Sequence, residues 1–296
     1  MRAKIILLII SVIARLPLAF SQKIGRLLGW FAYYIPNREY QVSDVNIKLC
    51  FPDYSKEAHD RLLKQSLMES AVTMMEIPGT WMGDHRQWLA RVQPGTGADL
   101  FEQTLAKGQG VIAVGPHLGN WEVGLHQLSS LAPVTALYRP PRQAVLDGLI
   151  KRGRSGSGAQ LVPATPQGVK AIYAALRRGE MMGVLADQEP KAAGRQGGVF
   201  APFFGLPAIT MVLVNRLAHK TGTPVLFWYM ERLANGEGFR MHWFDAPEGI
   251  ADADPVIAAT ALNQGLEHCI RQCPSQYLWS YKRFYQRPVG ESSPYS

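Results

Sequence analysis

One stretch decides the fold: Val111-Ile112-Ala113-Val114-Gly115-Pro116-His117-Leu118-Gly119-Asn120-Trp121-Glu122. Its first five residues form an apolar run, which predicts a strand buried on both faces. Gly115-Pro116 favours a tight exit from that strand, and a helix is expected to begin at Trp121. The turn into this helix can fold Glu122 back onto the ring of His117. The stretch therefore predicts that His117 is a general base and that Glu122 is its orienting partner.

From residue 98 onward, short apolar runs alternate with segments of helical periodicity. The predicted strands cover residues 110–114, 134–137, 160–162, 181–185 and 224–230. The predicted helices cover residues 100–105, 121–131, 144–151, 167–178 and 211–220. This alternation predicts an α/β fold with a mostly parallel central sheet flanked by helices. Ligands bind such sheets at the carboxyl ends of the strands, where His117, Arg139 and Asp187 fall.

The amino-terminal 36 residues are apolar and basic, and we expect them to attach the chain to a membrane. Residues 5–14 are apolar apart from one serine, but crossing a bilayer takes roughly 20 residues. Residues 15–35 place their polar side chains on one side of a helix, and these are Arg15, Gln22, Lys23 and Arg26. This pattern is typical of a helix that lies in the membrane interface with its basic face toward the head groups. We expect an anchoring segment over residues 1–36, spanning or monotopic, and a second, larger domain over residues 37–296.

Two other interpretations of the amino terminus stay open. Ala19 and Ser21 could precede the cleavage site of a signal peptide, although Trp30-Phe31-Ala32-Tyr33-Tyr34 continues the amphipathic pattern beyond it. The two apolar segments could also be ordinary core helices.

Residues 37–90 are predicted to be helical, with Ser55 as an N-cap.

The net charge of +8 and the isoelectric point near 9.4 favour an anionic partner. Five cations, against Asp147 alone, lie between residues 139 and 154: Arg139, Arg142, Lys151, Arg152 and Arg154. No nucleic-acid recognition motif is present, so a membrane surface, a phosphorylated lipid or an acidic carrier protein is expected instead. The three cysteines imply no disulfide framework, and no metal-ligand spacing is present, so we expect no metal.

The deciding stretch contains neither Ser nor Cys, and so it lacks a nucleophile of its own. The simplest chemistry is direct attack by a substrate hydroxyl, deprotonated by His117, on an activated carbonyl. Backbone N–H groups at the start of the following helix are the expected donors to the oxyanion, with Arg139 as second choice. Gly119 is expected to let a ligand approach the backbone.

Several blocks of the sequence resemble those of one enzyme family. The His117-x4-Glu122 pattern is similar to the histidine-x4-acid motif of membrane-associated glycerolipid and lipid A acyltransferases. Further blocks follow in the order and spacing of the late (secondary) lipid A acyltransferases of the lauroyl/myristoyl type. They are Tyr138-Arg139-Pro140, Asp187-Gln188-Glu189-Pro190, the segment 198–208 with Pro202-Phe203-Phe204-Gly205, and the closing segment 274–284 with Gln276-Tyr277-Leu278-Trp279 and Arg283-Phe284.

This resemblance implies a glycerolipid-acyltransferase-like fold and an acyltransferase that uses an acyl-acyl-carrier protein as donor. The acceptor would be a hydroxyl on a hydroxyacyl chain of a lipid A precursor that bears Kdo sugars. The enzyme would work at the cytoplasmic face of the inner membrane of a Gram-negative bacterium, without a cofactor. Its expected partners are the acyl carrier protein, the lipid A precursor and the membrane, with no nucleic acid.

The resemblance also assigns roles to residues. His117 would be the base and Glu122 its catalytic partner. Substrate binding or transition-state support is expected of Asn120, Arg139, Arg154, Asp187, Phe203, Phe204, Gly205 and Arg283. Structural alternatives stay open: Arg139 as a solvated cation, Asp187 as a cap, and Phe203-Phe204-Gly205 as plain packing.

Three alternative functions also stay open. The acceptor could be another glycolipid or a glycerophospholipid. A membrane-associated esterase or thioesterase could use a His–Glu pair to activate water. A non-catalytic membrane scaffold could retain the fold without the chemistry.

Overall fold

The computed structural model describes residues 2–141, 143–190 and 197–295. Its helices are α1 (Arg2–Ile13), α2 (Leu18–Tyr34), α3 (Arg38–Cys50), α4 (Lys56–Met82), α5 (His85–Leu89), α6 (Ala98–Ala106), α7 (Trp121–Leu131), α8 (Ala144–Gly156), α9 (Pro166–Arg177), α10 (Leu213–Thr221) and α11 (Pro255–Gln272). Its strands are β1 (Val92–Pro94), β2 (Val111–Gly115), β3 (Val134–Tyr138), β4 (Gln160–Pro163), β5 (Met181–Leu185), β6 (Gly198–Phe203), β7 (Leu206–Met211), β8 (Val225–Arg232) and β9 (Phe239–Asp245).

A seven-stranded sheet forms the centre of the molecule, in the order β1-β9-β8-β2-β5-β3-β4. The five strands from β8 to β4 run parallel to one another. Strand β9 pairs antiparallel with β8, and β1 runs parallel with β9. The predicted α/β class with a mostly parallel sheet is therefore confirmed. Strands β2 and β5 are direct neighbours in this sheet. Their carboxyl ends therefore lie side by side at one edge, as expected.

Helices cover both faces of this sheet, as the apolar run in β2 predicts. Ile112 and Val114 pack in a core with residues of α9, α10 and α11. Val111 and Ala113 pack on the other face with residues of α6 and α7. All four side chains are fully buried. The start of α7 is thereby held against the end of β2, which fixes the short loop between them.

Helix α2 packs on α4 through small and polar residues: Ser21, Gln22, Gly25 and Gly29. A Cβ atom at Gly25 would lie 2.5 Å from the Cα atom of Val72, so the two backbones come into direct contact. The polar stripe of α2 thus faces the protein at Gln22, which is 1% exposed, and at Arg26, which pairs with Glu69. The expectation that these two residues face lipid head groups is wrong, because both satisfy carboxylates of α4.

The apolar residues of α1 and α2 face outward instead. The exposed large side chains of this segment are Ile5, Leu7, Leu8, Ile9, Val12, Phe20, Leu27, Leu28, Trp30, Phe31, Tyr34 and Ile35. Within the described ranges, no single helix is both long and apolar enough to cross a bilayer. Lys4–Ile13 and Leu18–Tyr34 meet the length and composition criteria only as a pair, and they are bent by 119°.

Beyond the predicted elements, the structure contains a hairpin of β6 and β7 that lies outside the main sheet. Phe204 and Gly205 form its two-residue turn with positive φ angles of 50° and 78°. The helix predicted from residue 211 begins at Leu213, because Met211 still pairs with Gly198 in the hairpin. Strand β9 and helix α11 are likewise additions to the predicted pattern.

Candidate active site

The ends of the neighbouring strands β2 and β5 bring His117 and Asp187 together. Nδ1 of His117 lies 2.7 Å from Oδ1 of Asp187. The backbone N–H of His117 donates to the other oxygen, Oδ2, at 3.0 Å. One carboxylate thus fixes both the ring and the backbone of the same residue.

The ionisation state of Asp187 is set by His117, which opposes the effect of burial. Burial alone would raise the pKa of Asp187, but the positive charge that His117 carries when protonated, together with its hydrogen bonds, outweighs burial and lowers it. An ionised Asp187 can only accept, so in the neutral imidazole of His117 we assign the hydrogen to Nδ1, and the lone pair of Nε2 is left for a substrate proton. The His117 side chain is 18% exposed, whereas that of Asp187 is 3% exposed. The imidazole can therefore reach a ligand that the carboxylate cannot.

The closing segment of the chain packs directly on the loop that carries His117. The N–H of Leu278 donates to the carbonyl oxygen of His117 at 3.0 Å, and the N–H of Gly119 donates to that of Gln276 at 3.0 Å. Tyr277 is buried at this junction, where burial and the charge of Asp187 raise its pKa well above the usual value. This block of the sequence therefore supports the loop of the site.

Gly119 allows two backbone segments to come close together, whereas the sequence predicts that it admits a ligand. Its φ angle is +62°, and a Cβ atom there would lie 1.7 Å from the carbonyl oxygen of Met230 in β8. The next N–H, that of Asn120, donates to the same carbonyl oxygen at 3.1 Å. The expectation that Gly119 admits a ligand is therefore corrected, because β8 occupies that space.

Glu122 pairs with Arg154 rather than with His117. Nε and Nη2 of Arg154 donate to the two carboxylate oxygens of Glu122 at 2.9 and 2.5 Å. Among the residues described, no hydrogen bond joins Glu122 to His117. The expected contact between Glu122 and His117 is thus absent among the described residues, because Glu122 lies on the first turn of α7 where Arg154 of α8 meets it, and Asp187 contacts His117 instead. The catalytic roles of His117 and Glu122 stay predictions.

Glu122 and Arg154 form a charged pair that is largely shielded from solvent. The Glu122 side chain is 2% exposed and the Arg154 side chain is 21% exposed. Burial alone would raise the pKa of Glu122, but the charge and hydrogen bonds of Arg154 lower it. The two charges stabilise each other, and removal of either one would leave its partner buried and unpaired.

Most backbone N–H groups of the loop are already engaged. Those of His117, Leu118, Gly119, Asn120 and Val123 donate within the protein. The N–H groups of Trp121 and Glu122, in the first turn of α7, have no acceptor within the described residues. The expected oxyanion donors are thereby reduced to these two positions.

No hydrogen bond or ion pair within the described residues joins the other predicted basic residues to His117 or Asp187. Arg139 follows β3 and is exposed, as is Arg152, while Lys151 pairs with Asp147 at 2.8 Å. Arg142 lies outside the described residues. A role of Arg139 in binding substrate stays a prediction.

The Phe203-Phe204-Gly205 block forms the hairpin tip, where packing accounts for it. Phe203 is 1% exposed and Phe204 is 8% exposed. Arg283 is buried beside Phe203 and donates to the carbonyl oxygen of Ile209 at 2.7 Å. A role of these residues in lining an acyl channel stays a prediction.

Sequence reasoning missed a buried ionic cluster behind the loop. Asn120, predicted to support the substrate, is fully buried and donates to Glu76. Glu76 in turn binds Arg232 at the end of β8. One sequence feature indicates this cluster: a glutamate stands within the otherwise apolar stretch Met74-Met75-Glu76-Ile77. A lone charge on a buried helix face needs a partner.

Comparison with known proteins identifies the family of the chain. The model of the bacterial lipid A biosynthesis acyltransferase family matches residues 3–286. The chain is 29% identical over 276 residues to the lipid A biosynthesis palmitoleoyltransferase of Escherichia coli K12, covering 92% of this chain and 87% of that protein. It is 25% identical over 288 residues to the lauroyltransferase of the same organism, covering 97% and 92%. The myristoyltransferase of that organism is 23% identical over 288 residues, covering 96% and 86%.

Proposed function

The chain belongs to the bacterial lipid A biosynthesis acyltransferase family, and we propose that it transfers a fatty acyl chain from acyl-acyl-carrier protein to a lipid A precursor. It is an O-acyltransferase, as its relatives are. The proposed acceptor is a hydroxyl on a hydroxyacyl chain of a precursor that bears Kdo sugars. The observation that carries the mechanism is the 2.7 Å contact between His117 and Asp187.

In the proposed reaction His117 is the general base. Its Nε2 takes the proton of the acceptor hydroxyl while Asp187 holds the ring and stabilises the imidazolium. The hydroxyl oxygen attacks the thioester carbonyl carbon and forms a tetrahedral oxyanion. When the C–S bond breaks, the carrier thiolate leaves and takes the proton from His117. The products are the new ester and the carrier thiol, without a covalent acyl-enzyme or a cofactor.

The oxyanion needs donors that are already in place. The N–H groups of Trp121 and Glu122 are the candidates, because they belong to the positive end of α7. The Glu122 charge lies on the same turn, but Arg154 neutralises it. We therefore propose that Arg154 keeps this helix end favourable for a developing negative charge.

The proposed place of the reaction is the cytoplasmic face of the inner membrane, with α1 and α2 as a monotopic anchor. The many exposed apolar side chains of these helices support this placement, because lipid would cover side chains that the protein leaves exposed. Lys4, Arg15 and Lys23 of the same helical segment are also exposed and suit anionic head groups.

Product analysis tests the function. The purified protein, in vesicles of Escherichia coli phospholipids, is given labelled lauroyl-, myristoyl- or palmitoleoyl-acyl-carrier protein and Kdo2-lipid IVA. We expect mass spectrometry to find one added acyl chain on the lipid, with lysophosphatidic acid unchanged as the control acceptor. Free fatty acid as the main product would instead establish a thioesterase.

A further inference from the structure

A buried ionic cluster lies directly behind the loop that carries His117. Arg232 donates from Nε and Nη2 to the two carboxylate oxygens of Glu76 at 2.8 and 2.7 Å. Its Nη1 donates to Oε2 of Glu69 at 2.8 Å. The side chains of Arg232 and Glu76 are fully buried. Buried ion pairs often add no net stability compared with apolar residues of the same shape, so stability alone is a poor explanation for the cluster.

Glu76 fastens the loop through Asn120. Nδ2 of Asn120 donates to Oε2 of Glu76 at 2.9 Å, and Oδ1 of Asn120 accepts from the N–H of Val123 at 3.1 Å. Asn120 therefore joins the carboxylate to the first turn of α7. Since Asn120 lies three residues after His117, this contact limits where the loop can run.

Thr73 provides a second attachment, from the same face of α4. Its hydroxyl accepts from Nη2 of Arg232 at 2.6 Å. The same hydroxyl lies 3.1 Å from the carbonyl oxygen of Gly119. It also lies 3.1 Å from the carbonyl oxygen of Glu69 one turn earlier in α4. Arg232 thus orients a side chain that bridges α4 and the backbone of Gly119, the residue before Asn120.

Gln276 provides a third attachment, from the closing segment. The backbone N–H of Arg232 donates to Oε1 of Gln276 at 2.8 Å, and Nε2 of Gln276 donates back to the carbonyl oxygen of Arg232 at 2.9 Å. The carbonyl oxygen of Gln276 accepts from the N–H of Gly119 at 3.0 Å. The loop is therefore held between α4 and the closing segment, and Arg232 bonds to both.

The cluster also reaches helix α2. Nε2 of Gln22 donates to Oε1 of Glu76 at 2.9 Å, so the Glu76 carboxylate accepts from α2, from the loop and from Arg232. Burial alone would lower the pKa of Arg232, but Glu76 and Glu69 raise it. Arg232 consequently stays a cation and holds all of its partners.

We propose that Glu76 and Arg232 are positioning residues for the acyl transfer: together they hold the loop at the place where His117 meets Asp187. This inference rests on the proposed function. Neither residue contacts the reacting atoms, because both are buried behind the loop. A misplacement of about 1 Å at a reacting centre can lower the rate about 10²-fold.

The test compares Glu76→Gln with Glu69→Gln in the acyl transfer assay. Each change removes one carboxylate charge from Arg232 on the same helix, but only Glu76 contacts the loop. We expect Glu76→Gln to lower kcat by about 10²-fold with unchanged KM for both substrates. We expect Glu69→Gln to retain kcat, even if this change lowers the thermal unfolding temperature as much as Glu76→Gln does.

A second pair of variants tests the loop contact without changing a charge. Thr73→Val keeps the shape of the side chain but removes the hydroxyl that reaches Gly119, whereas Thr73→Ser keeps the hydroxyl. We expect the valine variant to lose kcat and the serine variant to recover it at unchanged KM. This pair remains informative if Glu76→Gln fails to fold.

The outcomes separate the two proposals. If the unaltered protein is active and neither Glu76→Gln nor Thr73→Val lowers kcat more than its control, the positioning role is overturned while the proposed function stands. A loss that appears only in KM, or only in the unfolding temperature, also overturns it. An unaltered protein without transferase activity overturns the proposed function, and this inference with it.

Discussion

Asp187 binds His117 twice, through Nδ1 of the ring at 2.7 Å and through the backbone N–H at 3.0 Å. The two residues are 70 positions apart in sequence, yet they follow adjacent parallel strands. One carboxylate thus sets the position of the residue and the tautomer of its ring. The geometry supports a base that is ready before substrate arrives.

We expect Asp187→Asn to lower kcat by about 10²- to 10⁴-fold, the range of general base catalysis. The amide loses the negative charge that stabilises the imidazolium, and its NH2 group cannot accept from the N–H of His117. The measurement is the initial rate of acyl transfer at saturating substrates. Asp99→Asn, an exposed change at the start of α6, is the control. Equal rates for the two variants would remove Asp187 from the mechanism.

The Glu122–Arg154 pair predicts a pH dependence of stability. The pKa of Glu122 is lower in the folded protein than in the unfolded chain, so folding is favoured by the ionised form. Its contribution is fully present above the unfolded pKa of about 4.3 and is lost as pH falls through the lower, folded value. We expect the difference in unfolding free energy between the unaltered protein and Glu122→Gln to be constant from pH 7 to 5. It should shrink below pH 4.3, as measured by urea unfolding in detergent; a difference that grows there would contradict the pairing.

Gly119→Ala should destabilise the protein far more than the same substitution at another glycine of similar backbone conformation. Gly108 has a φ angle of +71° with open space around it, so Gly108→Ala should cost only about 1–2 kcal/mol for the left-handed conformation. At Gly119 the added Cβ atom also meets the carbonyl oxygen of Met230. We expect a larger loss of unfolding free energy, together with lost acyl transfer. Similar losses for both variants would show that the contact with β8 is unimportant.

Membrane binding should depend on the outward face of α2. Leu27 and Phe31 are 55% and 47% exposed, and large apolar side chains contribute about 1.5–3 kcal/mol each when buried. The double variant Leu27→Ser/Phe31→Ser should therefore lower the partition coefficient into phospholipid vesicles by at least about tenfold. Val256 and Ile257, 47% and 49% exposed on α11, provide the matched control. Equal effects of the two serine pairs in vesicle co-sedimentation would argue against α2 as the anchor.

The sequence predicts most of the sheet because its strands are short apolar runs between helices. The run 111–115 and the run 181–185 both become buried strands, and the helix predicted over residues 121–131 has the observed bounds. These features depend on local periodicity, which a single sequence displays. The hairpin of β6 and β7 is different, since its turn places Phe204 at a positive φ angle that only packing and the hydrogen bond from its N–H to Glu267 can hold.

The partners within the site could not be predicted in the same way. Local spacing favours Glu122 as the partner of His117, whereas Asp187 reaches it only because β5 lies beside β2. Glu76 and Arg232 are 156 positions apart and meet through the packing of α4 against the end of β8. The polar stripe of α2 can be recognised in the sequence. Whether it faces lipid or protein depends on the carboxylates of α4. A single sequence shows which residue types are present, but tertiary packing determines which of them contact one another.

The most direct test of the mechanism is the acyl transfer rate of His117→Ala, compared with His219→Ala as a control at an exposed histidine. Both proteins are assayed with acyl-acyl-carrier protein and Kdo2-lipid IVA in phospholipid vesicles, after circular dichroism has shown equal folding. We expect His117→Ala to lose about 10²- to 10⁴-fold in kcat while His219→Ala retains it. Full acylation of the lipid by His117→Ala would contradict a base at this position.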